Sequence, residues 1–154
     1  MNLYSPSFPH GGAIPRKHSC QGQDCSPELC WTGVPADAKS LALIVEDPDA
    51  PDPLHPKMTW VHWVVYDLPA DGGGLPEAVV PVRMPAGARL GRNDWRRSDW
   101  GGPCPPIGRH RYYFRLYALD APLGDLHEPS AAALREAMKG HVLDSAELMG
   151  TYQK

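Results

Sequence analysis

His110-Arg111-Tyr112-Tyr113-Phe114-Arg115-Leu116-Tyr117-Ala118-Leu119 is the longest strand-forming stretch in the chain, and its parity decides the fold class. Side chains on a strand alternate between two faces. His110, Tyr112, Phe114 and Leu116 therefore share one face, and Arg111, Tyr113, Arg115 and Tyr117 share the other. The second set reads as amphipathic cover. The first reads as a core face that turns, at its N-terminal end, into a histidine and a phenol, which is a way to floor a pocket.

Working outward, two more segments have strand character. Leu41-Ala42-Leu43-Ile44-Val45 is a short unbroken apolar run, suited to a strand buried on both faces. Val61-His62-Trp63-Val64-Val65-Tyr66 is rich in β-branched and aromatic residues, and alternation puts His62 on the face of Val64 and Tyr66. One helix is expected from about Ser130 to Lys139: Ser130 caps it, Ala131, Leu134 and Met138 form its apolar stripe, and Gly140 stops it. The tail from His141 to Tyr152 fits either a strand or a second short helix. Gly11 to Ala38 and Gly91 to Gly108 lack a regular pattern. Trp31, Trp60, Trp63, Trp95 and Trp100 mostly fall in or beside these stretches, so both are expected to be ordered. The 18 prolines and 15 glycines punctuate short apolar segments, as in strands joined by structured loops. The expectation is a mainly β chain forming one domain over residues 1–154.

Composition narrows the function classes. The chain has 154 residues, 42% hydrophobic and 21% charged, which is ordinary globular usage. A net charge of −3 disfavours a nucleic-acid binder that works by bulk electrostatics. Apolar runs as short as Leu41–Val45 do not span a bilayer, and Met1-Asn2-Leu3-Tyr4-Ser5 is not a signal peptide, so the expected location is the cytoplasm. There Cys20, Cys25, Cys30 and Cys104 are expected as thiols rather than bridges.

Three motifs could carry chemistry. Asp47-Pro48-Asp49-Ala50-Pro51-Asp52-Pro53 presents carboxylates on a proline-stiffened turn at a strand end. Such a carboxylate either orients a histidine or merely caps local backbone. His62, between Trp60 and Trp63, is either a hydrogen-bonded core histidine or a functional group. Gly101-Gly102-Pro103-Cys104-Pro105-Pro106-Ile107-Gly108 joins glycines that permit close backbone approach to prolines that hold one shape. His110 and Tyr112 follow as donors suited to phosphate or carboxylate. No Gly-Lys-Ser/Thr follows these glycines, so the loop is not a Walker-type phosphate loop. His18, Cys20, Cys25 and Cys30 lack the paired spacing of a zinc site, and no nucleophile has a base beside it in sequence.

Taken in order, the motifs resemble the phosphatidylethanolamine-binding protein family, also called Raf-kinase-inhibitor-like proteins, in its short prokaryotic branch. The resemblance runs through Ile14-Pro15 to Gly22, Ser26-Pro27-Glu28-Leu29-Cys30-Trp31, and Ser40-Leu41-Ala42-Leu43 into Asp47-Pro48-Asp49-Ala50-Pro51. It continues through Trp60-Val61-His62-Trp63, Gly91-Arg92-Asn93-Asp94, Gly101–Pro106, His110-Arg111-Tyr112, Gly140-His141-Val142-Leu143 and Gly150-Thr151-Tyr152. It implies a mainly β fold of two antiparallel sheets with a few short helices and a small anion pocket at one end. It also implies that Asp47, His62, Pro105, Pro106, His110 and Tyr112 line that pocket, with Asp49 near it. Trp95 and Trp100 are larger than the aromatics expected in that loop and would narrow the mouth.

The expected function is non-enzymatic binding of a small anion: phosphate, a phosphomonoester headgroup such as phosphoethanolamine, or a carboxylate. No cofactor and no metal are expected. Asp47 would favour a cationic histidine, so affinity should be tighter at pH 6 than at pH 8. The alternative is a protein-interaction regulator of a kinase or protease, with the pocket as a switch or a vestige. Nucleic-acid binding and stable membrane insertion are not expected, and a homodimer is left open.

Overall fold

The apolar run Leu41–Val45 has no polar side to offer water, and the fold buries it on both faces. In the computed structural model, which describes residues 1–154, every residue from Leu41 to Val45 has an exposure of 0%. The strands are β1 (Asn2–Tyr4), β2 (Leu29–Thr32), β3 (Ser40–Ala50), β4 (Met58–Leu68), β5 (Gly74–Leu75), β6 (Arg89–Leu90), β7 (His110–Leu119) and β8 (Val142–Tyr152). The helix α1 (Ala131–Met138) precedes β8. A five-stranded sheet has the order β6-β4-β3-β7-β8, a three-stranded sheet has the order β1-β2-β5, and all neighbours within each are antiparallel.

The central strand β3 separates two apolar layers. Leu41, Leu43 and Val45 face the small sheet and pack with Leu3, Leu29, Trp31, Leu75, Phe114 and Leu116. Ala42 and Ile44 face the opposite way, where Ala131, Leu134 and Met138 of α1 cover them with Val64, Tyr66 and Leu119. The helix matches the sequence reading: Ser130 Oγ accepts from the Ala133 N–H at 3.1 Å, and Gly140 supplies the left-handed turn at φ +81°. The ambiguous tail is a strand, β8, paired along the whole of β7. Arg115 and Arg135 tie sheet to helix by sharing the buried Glu46 carboxylate.

Two sequence expectations are corrected. Cys20 and Cys104 form a disulfide, leaving Cys25 and Cys30 as the free thiols. The reason is tertiary. The Cys20 N–H donates to the Pro103 carbonyl at 3.1 Å, which brings Cα atoms 84 residues apart in sequence to 5.4 Å, within bridging range. The face of His62 also differs. β3 pairs Val45 with Trp63 but Glu46 with Val61, a bulge that places two residues against one. His62 is thereby turned to the side of Trp63 and Val65, away from Val64 and Tyr66. No helix is long and apolar enough to cross a membrane.

Candidate functional site

Because β3, β4 and β7 are adjacent, the parts of these strands that carry Asp47, His62 and His110 come together at one end of the large sheet. They form a cavity of about 420 Å³ whose lining includes Asp47, His62, Pro105, Pro106, His110 and Tyr112. Six of the seven residues singled out in the sequence thus meet in one place. The seventh, Asp49, does not line it. Asp49 is held by Arg111, whose Nη2 and Nε donate to the carboxylate at 2.8 and 3.0 Å and whose backbone N–H adds a third bond at 2.9 Å. That grip holds its carboxyl below the ordinary value. The Asp49 N–H in turn donates to Asp47 Oδ1 at 2.7 Å, so Asp49 acts on the cavity by fixing Asp47.

The two histidines are held differently. His110 has Nδ1 at 2.6 Å from Asp47 Oδ2, and its Nε2 donates to the carbonyls of Pro51 at 3.0 Å and Ile107 at 2.9 Å. One proton sits between His110 and Asp47 and one on Nε2, so the pair carries no net charge wherever the shared proton rests. Burial pushes the Asp47 carboxyl up, against the His110 and Asp49 bonds that pull it down. His62 Nδ1 donates to the Gly101 carbonyl at 2.6 Å. Its other nitrogen, Nε2, has no protein partner, and burial lowers the ring's pKa from 6.5 to about 4. Near neutrality, Nε2 is therefore a lone pair.

Tyr112 supplies the remaining polar atom. Its ring lies edge-on to His62 at 5.2 Å and stacked with His110 at 6.3 Å, and its buried hydroxyl has no hydrogen-bond partner. Burial raises its pKa further, so the phenol keeps its proton. The walls are apolar: Ala50, Pro51, Met58, Trp60, Trp95, Pro105 and Pro106. Trp95 stands edge-on to His62 at 4.9 Å and lines the cavity. Trp100 does not. It is buried between Trp63 and Phe114, with its Nε1–H donating to the His18 carbonyl at 3.2 Å.

Sequence reasoning missed the carbonyls of Gly101, Pro51 and Ile107, which orient the histidines, and no residue-type signal marks them. It also missed Cys104 as a lining residue tied covalently to Cys20. The glycines carried a clearer signal. A Cβ on Gly101 would collide with Trp95, and one on Gly102 would collide with the His18 carbonyl. The close approach they permit is between pieces of protein, and the Gly102 N–H donates to Asp24 Oδ1 at 2.8 Å.

The family model described as phosphatidylethanolamine-binding protein matches residues 4–153. A UPF0098 protein of Methanothermobacter thermautotrophicus is 49% identical, across 100% of this chain and 99% of its own length. The crystal structure of a phosphatidylethanolamine-binding protein homologue from Chlamydia trachomatis superposes with a TM-score of 0.91 at 44% identity, covering 99% of this chain and 97% of that one. Escherichia coli YbcL, described as a new member of the mammalian family of that name, gives a TM-score of 0.89 at 32% identity, with coverage of 99% and 98%.

Proposed function

The chain belongs to the phosphatidylethanolamine-binding protein family, and from that premise we propose that it binds a small phosphate-like anion in the Asp47/His62/His110/Tyr112 cavity without transforming it. Phosphate, a phosphomonoester headgroup such as phosphoethanolamine, and a carboxylate are the candidate ligands. The observation that carries the reading is the Tyr112 hydroxyl, buried and unpartnered on a residue that lines the cavity, where His62 Nε2 is the other side-chain polar atom without a protein partner. A buried donor left without an acceptor costs about 1–3 kcal/mol, and a ligand oxygen would recover that cost. Binding rather than turnover is supported by the way the reactive groups are committed. His110 uses both nitrogens within the protein, His62 has a carbonyl and not a carboxylate behind it, and Cys104 is in a disulfide.

The test is an NMR titration of the histidine imidazoles with phosphoethanolamine. Saturable shifts at His62, with His10 and His127 unmoved, support the reading, as does loss of those shifts in Tyr112→Phe. Unmoved His62 resonances at millimolar ligand would overturn it. The second reading, a regulator of a protein partner such as a kinase or protease, draws on the exposed apolar side chains near the mouth. These are Met58 and Trp95 on the wall and Leu54 and Ile107 on the adjoining loops. Partner binding that survives His62→Ala but not Trp95→Ala would favour it.

A further inference from the structure

The free side-chain polar atoms of the cavity form an unusual pair for an anion site, because one donates and the other accepts. Tyr112 offers an O–H. His62 offers a lone pair, since its single ring proton is already committed to the Gly101 carbonyl. Neither Asp47 nor His110 alters this count. Asp47 Oδ2 and His110 Nδ1 satisfy each other, Asp47 Oδ1 accepts the Asp49 N–H, and His110 Nε2 points at two carbonyls.

The charged groups further out are also spoken for. Arg111 is bound to Asp49 behind the sheet, Arg97 lies over the Trp95 ring and beside Asp99, and Asp94 accepts the Val61 N–H. The titratable groups that face His62 are therefore Asp47 on β3, and His110 and Tyr112 on β7. Its other neighbours are the Trp95 ring and the Gly101 carbonyl.

A fully deprotonated oxyanion presents only acceptors. It could take the Tyr112 proton, but another of its oxygens would then face the His62 lone pair. We infer that the cavity selects the singly protonated form of a phosphomonoester, whose P–O–H donates to His62 Nε2 while a second phosphoryl oxygen accepts from the Tyr112 hydroxyl. This deepens the proposed function and rests on it. The depressed titration of His62 agrees, because near neutrality the ring does not supply the missing proton itself. A proton on the ligand thus becomes the specificity determinant, and a sulfate ester, which has none near neutral pH, is disfavoured. The pH dependence belongs to the ligand rather than to a protein histidine.

The experiment is calorimetric titration of the full chain with phosphoethanolamine and with its isostere 2-aminoethyl hydrogen sulfate, at pH 6, 7 and 8. The second phosphate pKa of a phosphomonoester is about 6, so its monoanion falls about fiftyfold between pH 6 and pH 8. Affinity for phosphoethanolamine should fall in proportion, and the sulfate ester should bind about a hundredfold more weakly than phosphoethanolamine at pH 6. In His62→Gln, whose amide can donate or accept, the two esters should approach each other to within a few-fold. Equal binding of both esters, or pH-independent affinity for phosphoethanolamine, overturns the proton selection while leaving the binding reading intact. Binding of neither ester at any pH overturns both. The wild-type comparison reads the proposal even if His62→Gln does not fold.

Discussion

Taking an imidazole from water into the cavity floor disfavours its cation, and His62, 3% exposed, titrates at about 4 in place of 6.5. The unfolded chain then binds more protons than the folded one between those two values. The stability held by the neutral ring is fully present above about pH 6.5 and is lost as pH falls toward 4, about 3 kcal/mol in all. Denaturant unfolding at pH 7 and pH 4 should show a loss that His62→Gln reduces. Tyr112→Phe makes a complementary case. It removes a buried hydroxyl that has no partner, so stability should hold or rise by about 1 kcal/mol while phosphoethanolamine binding disappears. A thermal shift and a titration on the same sample check both halves. Residue types exposed Asp47, His62, His110 and Tyr112 in the sequence. They were silent about which ring nitrogen of His62 was free, because the carbonyl that decides it belongs to a residue 39 positions away.

Parity arguments succeed where an element is regular and fail where it is not. On β7 the strict alternation of the sequence survives folding: His110, Tyr112, Phe114 and Leu116 are all buried, and Arg111 between them is exposed. On β4 the same reasoning misplaced His62, because the bulge against Glu46 adds a residue that no pattern of hydrophobicity marks. Without that bulge His62 would point toward α1 and the cavity would lose its acceptor. The helix was legible from its cap and stripe alone, and its energetics follow from the same residues. Leu134→Ala should cost about 2–5 kcal/mol, since Leu134 is fully buried against Ile44 and Val64. Ser130→Ala should cost about 1 kcal/mol through the lost cap. Urea midpoints for the two variants check the order. The β7–β8 pairing escaped a firm reading because the exposed positions along Val142–Tyr152 give β8 no clean apolar alternation until it is paired.

At the scale of the whole molecule, the two-sided burial of β3 organises everything else, and the cavity is a by-product of where three neighbouring strands end. The covalent organisation was not readable in advance, since four cysteines among 154 residues allow several pairings and only the folded loops choose one. A thiol count under denaturing, non-reducing conditions should find two reactive groups, and four after reduction. The bridge turns residues 20 to 104 into a closed ring that holds β2 to β6, with β1 on one tail and β7, α1 and β8 on the other. Val82, at 92% exposure, lies on that ring in an exposed turn open to an endoprotease. A cut there opens the ring without dividing the molecule. The nicked protein would migrate as one species until a reductant separates it into two fragments, each holding part of the cavity lining.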